Sequence, residues 1–470
     1  MNNTADKTMM IEFMNQFKDK LNHANGLDPW LYENNRGTIK IDPVKLGQTI
    51  LERGNYLQIK KNNDLTLYHY NDHLGLWRVV TANEIRKEVS ALVRDHWSNK
   101  EVSDATKYIM DLADIKDASE TIDNVDPYAV HFKNGVYDIR TGEMRPNSPD
   151  NYLFYGRDYE IDTSNAPTPL TDKWLDESVK DAKTFLMEFI GFCFYRSYEH
   201  LQKFAILLSE GGDGKSTFFN WLREMIGPAN TSTVRLNDLT NPERRFTLAR
   251  LYAKLLNYYA DIGNSLIIDP SLIKGITGDD AIDVENKGEQ AQTIKPFAKQ
   301  IFGANRLPSF KDTSAGFGRR PCIVPFYSIP DFRQRFDKKA LYAEQPAFVY
   351  KCLQAFREVL KRGYFSETEE MERLRKEWIG ENDIVQEFID EYCELGVDYA
   401  VKKVYLYDTY KNYCHNNGYK PLSNQKFKKE LKRFNVFDTT KRINGEPAKA
   451  YIGIKLRSIA SDELAIMQLK

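Results

Sequence analysis

Apolar positions near the start of the chain, Met10, Phe13, Met14, Phe17 and Leu21, recur at the three-to-four spacing of an amphipathic helix, and Asn25-Gly26 ends the run. Alternation takes over in Leu65-Thr66-Leu67-Tyr68-His69-Tyr70 and in Leu76-Trp77-Arg78-Val79-Val80. These segments flank the turn-rich stretch from Asn71 to Gly75 and predict a hairpin. A helix with Ile85, Val89 and Leu92 on one face follows. The pattern predicts a small α+β domain over 1–115. Its aromatics Tyr68, Tyr70 and Trp77 sit at strand spacing, which suits core residues better than platforms for nucleotide bases.

Two more strands, Val130 to Lys133 and Val136 to Ile139, surround Asn134-Gly135 as a two-residue turn. Asp162 to Pro169 is polar and proline-bearing and reads as a loop, while Lys173 to Tyr198 reads as one helix. Together they predict a β-rich then helical domain over 116–198. From Lys203 to about Tyr327 short apolar strands alternate with helices, as in a nucleotide-binding α/β domain, here 199–330. Phe332 to Trp378 is charged and helical and predicts a linker or lid over 331–380. The remainder, 381–458, reads as helices at Ile384 to Glu394 and Lys403 to Asn416, then a third helix capped by Ser423 and running to Phe434. A hairpin closes it, Val436 to Ile443 and Ala448 to Leu456 about Asn444-Gly445. Three helices and a β-wing predict a winged helix, and 459–470 reads as a tail.

Composition narrows the class. The 470 residues are 41% apolar, and 66 Lys+Arg nearly cancel 67 Asp+Glu, with a mean hydropathy of -0.57. No stretch approaches the roughly 18 apolar residues that a membrane span needs. Met1 to Asp6 lacks the charged-then-apolar pattern of a signal peptide, so a cytoplasmic protein without membrane contact is expected. The five cysteines, Cys193, Cys322, Cys352, Cys393 and Cys414, are far apart and form no Cys-x-x-Cys, which argues for small core residues rather than disulfides or zinc.

The strongest chemical signal is the apolar strand Phe204 to Leu208, followed by Ser209-Glu210-Gly211-Gly212-Asp213-Gly214-Lys215-Ser216-Thr217 and a helix. Strand, glycine-rich loop and helix N-terminus form the setting of a P-loop, in which backbone N–H groups and the helix dipole hold phosphates. Gly211, Gly212, Asp213, Gly214 and Thr217 would shape that cradle. Lys215 would reach the β- and γ-phosphates of ATP, and Ser216 would hold Mg²⁺. Ser209 stands where the pattern's first glycine is usual. Asp261, ending the buried-looking strand Lys254 to Tyr259, is either the acid that completes the metal shell or a cap of its own loop. Asn305, after Lys299 to Ala304, is either a phosphate-sensing amide or a turn residue before Pro308. Arg319 and Arg320 are either an arginine finger or an ordinary surface ion pair.

The order of Gly-Gly-Asp-Gly-Lys-Ser-Thr, a strand-end acid, Lys-Gly-Ile-Thr-Gly-Asp-Asp from Lys274, Val-Glu-Asn-Lys-Gly around Lys287, Phe-Gly-Ala-Asn-Arg-Leu-Pro, and Arg-Arg before Pro321 resembles the superfamily 3 helicases. Within them it is most similar to phage- and plasmid-type replicative helicases grouped as primase C-terminal regions, including replication initiators of phages and staphylococcal-type mobile islands. The likeness extends over about 120–455. It implies an α/β fold with a P-loop AAA+-like core. Lys215 and Ser216 would bind ATP and Mg²⁺, Asp261 would be the Walker B acid with metal contact, and Asn305 the sensor. Arg320, with Arg319 as second choice, would be a finger acting in trans, and Lys287 would sit on a hairpin loop in a central channel, with Lys274 as a further DNA contact. The resemblance also implies a homo-oligomeric ring, usually a hexamer, moving 3′ to 5′ on single-stranded or forked DNA. Such enzymes often carry two adjacent Walker B acids, where this chain has Ala260-Asp261.

From Lys420 to Arg457 eleven basic residues face three acidic ones. Lys426, Lys428, Lys429, Lys432 and Arg433 lie on the third helix, and Arg442 and Lys449 on the wing, as a reader of a duplex replication origin would present them. A solvated helix face or an intersubunit contact is the plainer alternative. The first 110 or so residues look too short for a primase and lack an Asp-x-Asp pair, so a separate primase is expected. Two rivals remain at this stage: an origin-binding switch that uses ATP only to change assembly state, and a P-loop kinase or metabolic ATPase acting on a small molecule.

Overall fold

The computed structural model describes residues 28–457, apart from 62–63, 212–213, 242–244, 264–266, 268–269, 286–291, 311–314, 381–383, 418–420 and 444–445. The predicted helix at Met10 to Leu21 and the tail at 459–470 lie outside the described residues.

In the N-terminal part, α1 (Pro43–Gly54) starts where Asp42 accepts from the N–H groups of Val44 and Lys45. Strands β1 (Tyr56–Lys61), β2 (Asp64–Asn71) and β3 (Leu76–Val79) form an antiparallel meander. Helix α2 (Ala82–Val93) begins at a capping box between Thr81 and Glu84, an arrangement worth about 1 kcal/mol. α3 (Asn99–Leu112) leads into β4 (Asp114–Asp117), which adds to β1 in parallel. Tyr70 and Trp77 are buried and meet edge to face at 5.6 Å, and Tyr68 packs against the same cluster, so these aromatics are core residues.

The next hairpin is β5 (Ala129–Phe132) with β6 (Gly135–Asp138). Phe132 pairs with Gly135, so the turn is Lys133-Asn134, one residue earlier than the sequence pattern suggests. Asn134 is diverted to another task, its side chain accepting from Ile161 N at 3.0 Å and donating to Ile161 O at 2.9 Å. The single helix expected from Lys173 to Tyr198 is two, α4 (Pro169–Ser178) and α5 (Lys183–Phe192). The break falls at Lys180, whose φ of 48° no continuous helix accommodates.

The centre of the molecule is a five-stranded parallel sheet. Its strands are β7 (Phe204–Leu208), β8 (Thr231–Ser232), β9 (Leu256–Tyr259), β10 (Lys299–Ala304) and β11 (Pro321–Pro325), in spatial order β8-β9-β10-β7-β11. The first four residues of β7, Ile301 to Ala304 of β10 and the first four residues of β11 are apolar runs buried on both faces, as a parallel sheet covered by helices requires, while β10 opens with the buried polar pair Lys299 and Gln300. Helix α6 (Lys215–Ile226) follows β7 and ends at Gly227-Pro228. Between β9 and β10 lies a short helix, Ser271–Thr277, and the antiparallel pair Ile282–Val284 and Gln292–Ile294. The charged stretch after the sheet is helical in pieces, α7 (Phe332–Arg335), α8 (Lys338–Ala343), α9 (Gln345–Arg362) and α10 (Glu369–Gly380). One hydrophobic core, from Val130 to Trp378, joins these elements.

A second core, from Val385 to Ile454, belongs to the C-terminal module. It contains α11 (Ile384–Tyr392), β12 (Cys393–Lys402), α12 (Lys403–Asn416), α13 (Asn424–Leu431), β13 (Phe437–Ile443) and β14 (Glu446–Leu456). Ser423 caps α13 as expected, and Phe427 stacks on Tyr410 at 4.3 Å. The strand β12 departs from the sequence reading. It pairs with β14 to make a three-stranded sheet, with an irregularity between Leu395 and Ala400 that hides its alternation.

Candidate functional site

In the parallel sheet, β7 and β10 are neighbours whose onward connections run to opposite sides. Beyond their carboxyl ends this leaves a crevice, the usual place for a ligand in such sheets. The loop after β7 and the residue after β10 meet across it. Lys215, the first residue of α6, is buried, and its Nζ donates to Asn305 Oδ1 at 2.8 Å and to Ser209 Oγ. The serine that departs from the P-loop pattern thus has a definite partner, which the pattern alone did not assign.

The backbone around that lysine has a form that suits an anion. Gly214 has φ of 90° with open space where a Cβ would stand, and Gly211 has φ of 106° facing Asn305. Only glycine takes these conformations without strain, and they turn the loop so that α6 presents its free N–H groups to the crevice. Ser216 and Gly214 are exposed at this edge and Thr217 is half-buried. Gly212 and Asp213 lie outside the described residues.

Asp261 follows β9 at the same carboxyl edge. Ile262 N donates to Gly303 O at 2.9 Å, which sets this turn beside the end of β10. Asp261 is exposed, and its Oδ1 accepts from Gly263 N at 3.2 Å, so it caps its own turn while facing solvent. Ala260 sets its carbonyl close against Gly303 of β10, where a Cβ would collide with it. Among the described residues no cluster of three or more His, Cys, Asp or Glu could hold a metal by itself.

Arg319 and Arg320 occupy the opposite edge. Arg320 precedes β11, and its carbonyl accepts from Phe204 N, the first residue of β7, at 3.0 Å. A five-residue strand spans about 17 Å, so neither arginine shares a site with Lys215 of its own chain. Arg320 is buried and not a surface ion pair. Its guanidinium donates to Gly316 O and, at 3.3 Å, to Gln202 Oε1, while Nε has no partner among the described residues. Arg319 is exposed and shares Gln202. Burial, and then the like charge of Arg319, push the Arg320 guanidinium below the usual arginine range.

Lys274 is half-buried on the helix Ser271–Thr277, and Lys287 lies outside the described residues, between two paired strands. The acid Asp279 of the same sequence block has a structural task that spacing did not reveal. Its Oδ1 accepts from Tyr198 N at 2.9 Å, and its Oδ2 meets Lys295 Nζ at 2.6 Å, which pins the base of that strand pair to the segment after α5.

In the C-terminal module Lys426, Lys429 and Lys432 are exposed on α13 or just past it, and Arg442 and Lys449 are exposed on the hairpin. Lys428 is already engaged. With Lys403 it brackets Asp438, at 2.8 Å and 2.6 Å, and the two ammonium groups hold that carboxyl well below the usual carboxylate range. Arg433 pairs with Glu430 at 2.6 Å. Thr440 pairs with Lys449, so Asp438, Thr440, Arg442 and Lys449 share one face of the hairpin, the face that meets Lys428. Lys428 and Asp438 thus join α13 to that face of the hairpin.

Three family models match separate stretches of the chain. One described as "D5 N terminal like" covers 10–180, one described as a family of unknown function (DUF5906) covers 207–320, and one described as "Poxvirus D5 protein-like" covers 380–455. A protein of Acanthamoeba polyphaga mimivirus that carries the name "Putative helicase" is 24% identical over 341 residues, covering 65% of this chain and 34% of its own length. The chain thus spans about a third of the length of that curated relative. Among solved structures, the apo structure of the C-terminal region of NrS-1 aligns with a TM-score of 0.51 at 13% identity, over 88% of this chain and 100% of that chain. That is a likeness of fold. No helix among the described residues is long and apolar enough to cross a membrane.

Proposed function

We propose that this chain is an ATP-driven DNA helicase of the superfamily 3 type, working as a homo-oligomeric ring on single-stranded and forked DNA, and a replication initiator that recognises an origin through its C-terminal module. The observation that carries the reading is the lysine of the glycine-rich loop held across the crevice by Asn305, with an arginine pair at the far edge of the same sheet. The strand order β8-β9-β10-β7-β11 supports an AAA+-like core, and three helices with a basic hairpin support a winged helix. The helicase name of the mimivirus relative and the D5-type matches point the same way.

In this reading ATP lays its phosphates on the loop, and Lys215 transfers its ammonium from Ser209 and Asn305 to the β- and γ-phosphates. Asn305, released, faces the γ-phosphate and reports its loss. Mg²⁺ brought in with phosphates usually takes only one or two protein ligands, and Ser216 and Asp261, both exposed at this edge, would hold it. The metal would neutralise charge on the phosphates. Arg320, with Arg319 beside it, serves the site of a neighbouring subunit, so turnover depends on assembly. Lys287 and Lys274 belong to the segment that would grip the strand, with 3′ to 5′ travel. Exposed lysines of α13 and the hairpin bind duplex phosphates. A phage, plasmid or mobile-island initiator of the Rep type is the setting proposed.

Ala260 in place of a second acid favours one alternative, an origin-binding switch that consumes ATP without unwinding. Strand displacement from 3′-tailed and 5′-tailed forks separates the two. Displacement of the 3′-tailed fork alone, lost in Lys215→Ala, is expected. ATP consumption with no displacement from either fork would select the switch.

A further inference from the structure

Behind the glycine-rich loop, Gly214 and Thr217 form one side of a pocket of about 650 Å³, and the other side carries Trp174, Phe332 and Phe336 together with the polar side chains of Arg333, Asp337 and Lys338. Phe332 and Phe336 stack on each other with ring centres 5.0 Å apart and planes 21° apart, and Trp174 from α4 leans on Phe332 at 5.4 Å. Trp174 and Phe336 are buried, whereas Phe332 is half-buried and so offers part of its ring to the pocket. The wall is held in place by α8, which begins where Asp337 accepts from Ala340 N at 2.8 Å. That bond commits one oxygen of the lining carboxylate to the helix cap.

We propose that this pocket takes the base of the bound nucleotide and holds it by stacking on Phe332. The inference rests on the nucleotide reading of the loop and adds its base specificity. Continuity is the argument. The residues that end the loop and open α6 also line the aromatic pocket, so a ligand anchored by its phosphates at Gly214 has its hydrophobic, planar end beside Phe332. Stacking depends on ring area, so purine nucleotides bind better than pyrimidine ones. Removing one aromatic partner of a base weakens binding about tenfold.

The test is equilibrium binding of ATP, GTP, CTP and inorganic tripolyphosphate, with Mg²⁺, to the full chain and to Phe332→Ala, Phe332→Tyr and Lys215→Ala. Phe332→Ala is expected to bind ATP and GTP about tenfold more weakly with tripolyphosphate unchanged, and Phe332→Tyr to bind all ligands as the parent does. The parent should prefer ATP and GTP over CTP by a similar factor, a comparison that needs no variant to fold. Equal binding of ATP and CTP by the parent, or undiminished ATP binding by Phe332→Ala, overturns the base pocket while leaving the loop as a phosphate site. Tripolyphosphate binding untouched by Lys215→Ala, or no nucleotide binding at all, overturns the loop reading, and the pocket with it.

Discussion

Lys215 and Lys299 are both buried, both adjoin the central sheet, and both bring an ammonium group among oxygen atoms, but they do so at opposite ends of the strands. Lys299 opens β10, and its Nζ donates to the main-chain carbonyls of Tyr195, Ser197 and Phe297 at 2.7 to 2.9 Å. The rings of Phe192 and Tyr198 stand 4.3 and 4.1 Å from it. Burial pushes this lysine down to about 7. Lys215 instead meets side-chain oxygens, Ser209 Oγ and Asn305 Oδ1, on two loops at an edge where Gly214, Ser216 and Asp261 are open to solvent. A cation bound to main-chain carbonyls inside a ring of aromatics cannot leave without orphaning buried acceptors. One held by rotatable side chains at an open edge passes to an incoming anion at little cost. The first kind of lysine builds the sheet, and the second is placed to meet a ligand at its surface.

The largest expected effect lies at the open edge. Lys215→Ala should lower nucleotide turnover by about a thousandfold or more while moving the unfolding midpoint little, as read by phosphate release beside a thermal melt. A variant that turned over normally would erase the functional half of the contrast. Next comes Lys299→Ala, which leaves three carbonyls without their donor and should cost about 3 kcal/mol or more in urea unfolding, with nucleotide affinity per folded molecule unchanged. Undiminished stability would erase the structural half. The smallest effect is a pH slope. The folded chain holds Lys299 near 7, against about 10.4 unfolded, so between those values the unfolded state binds the extra proton and stability rises with pH. Below about 7 both states are protonated and the contribution is flat. The difference between the parent and Lys299→Met should therefore grow in the parent's favour from pH 7 to 9, by less than about 1.4 kcal/mol per unit, in paired urea titrations.

The same contrast explains what could be read from the sequence. Phe204 to Thr217 was legible because a buried parallel strand is a plain apolar run and the turn into α6 demands glycine at Gly214. Helix α12 and the Ser423 cap were legible for similar local reasons. The strand β12 was not, because the irregularity between Leu395 and Ala400 breaks the period of two. The break at Lys180 was hidden in apolar spacing that a single helix satisfies equally well. Ser209 read as a defect in a motif because its partner, Lys215, depends on the fold of the loop. Phe332 and Phe336 looked like ordinary residues of a charged helical stretch, since their neighbour Trp174 lies far away in sequence. Lys299, Asp279 and Arg320 show the same limit: sequence gave their charge, and only the packing says which edge of the sheet each one serves.

In the proposed function a nucleotide held at one edge of the sheet would be completed by Arg320 at the opposite edge of a neighbouring subunit. Co-expressing Lys215→Ala with Arg320→Ala tests it most directly, with ATP turnover as the readout. Each variant alone should be inactive. In mixed assemblies, Arg320→Ala subunits keep Lys215 and receive an intact arginine from Lys215→Ala neighbours, so turnover should return. A mixture as inactive as its components, with both chains folded and co-assembled, would contradict the account.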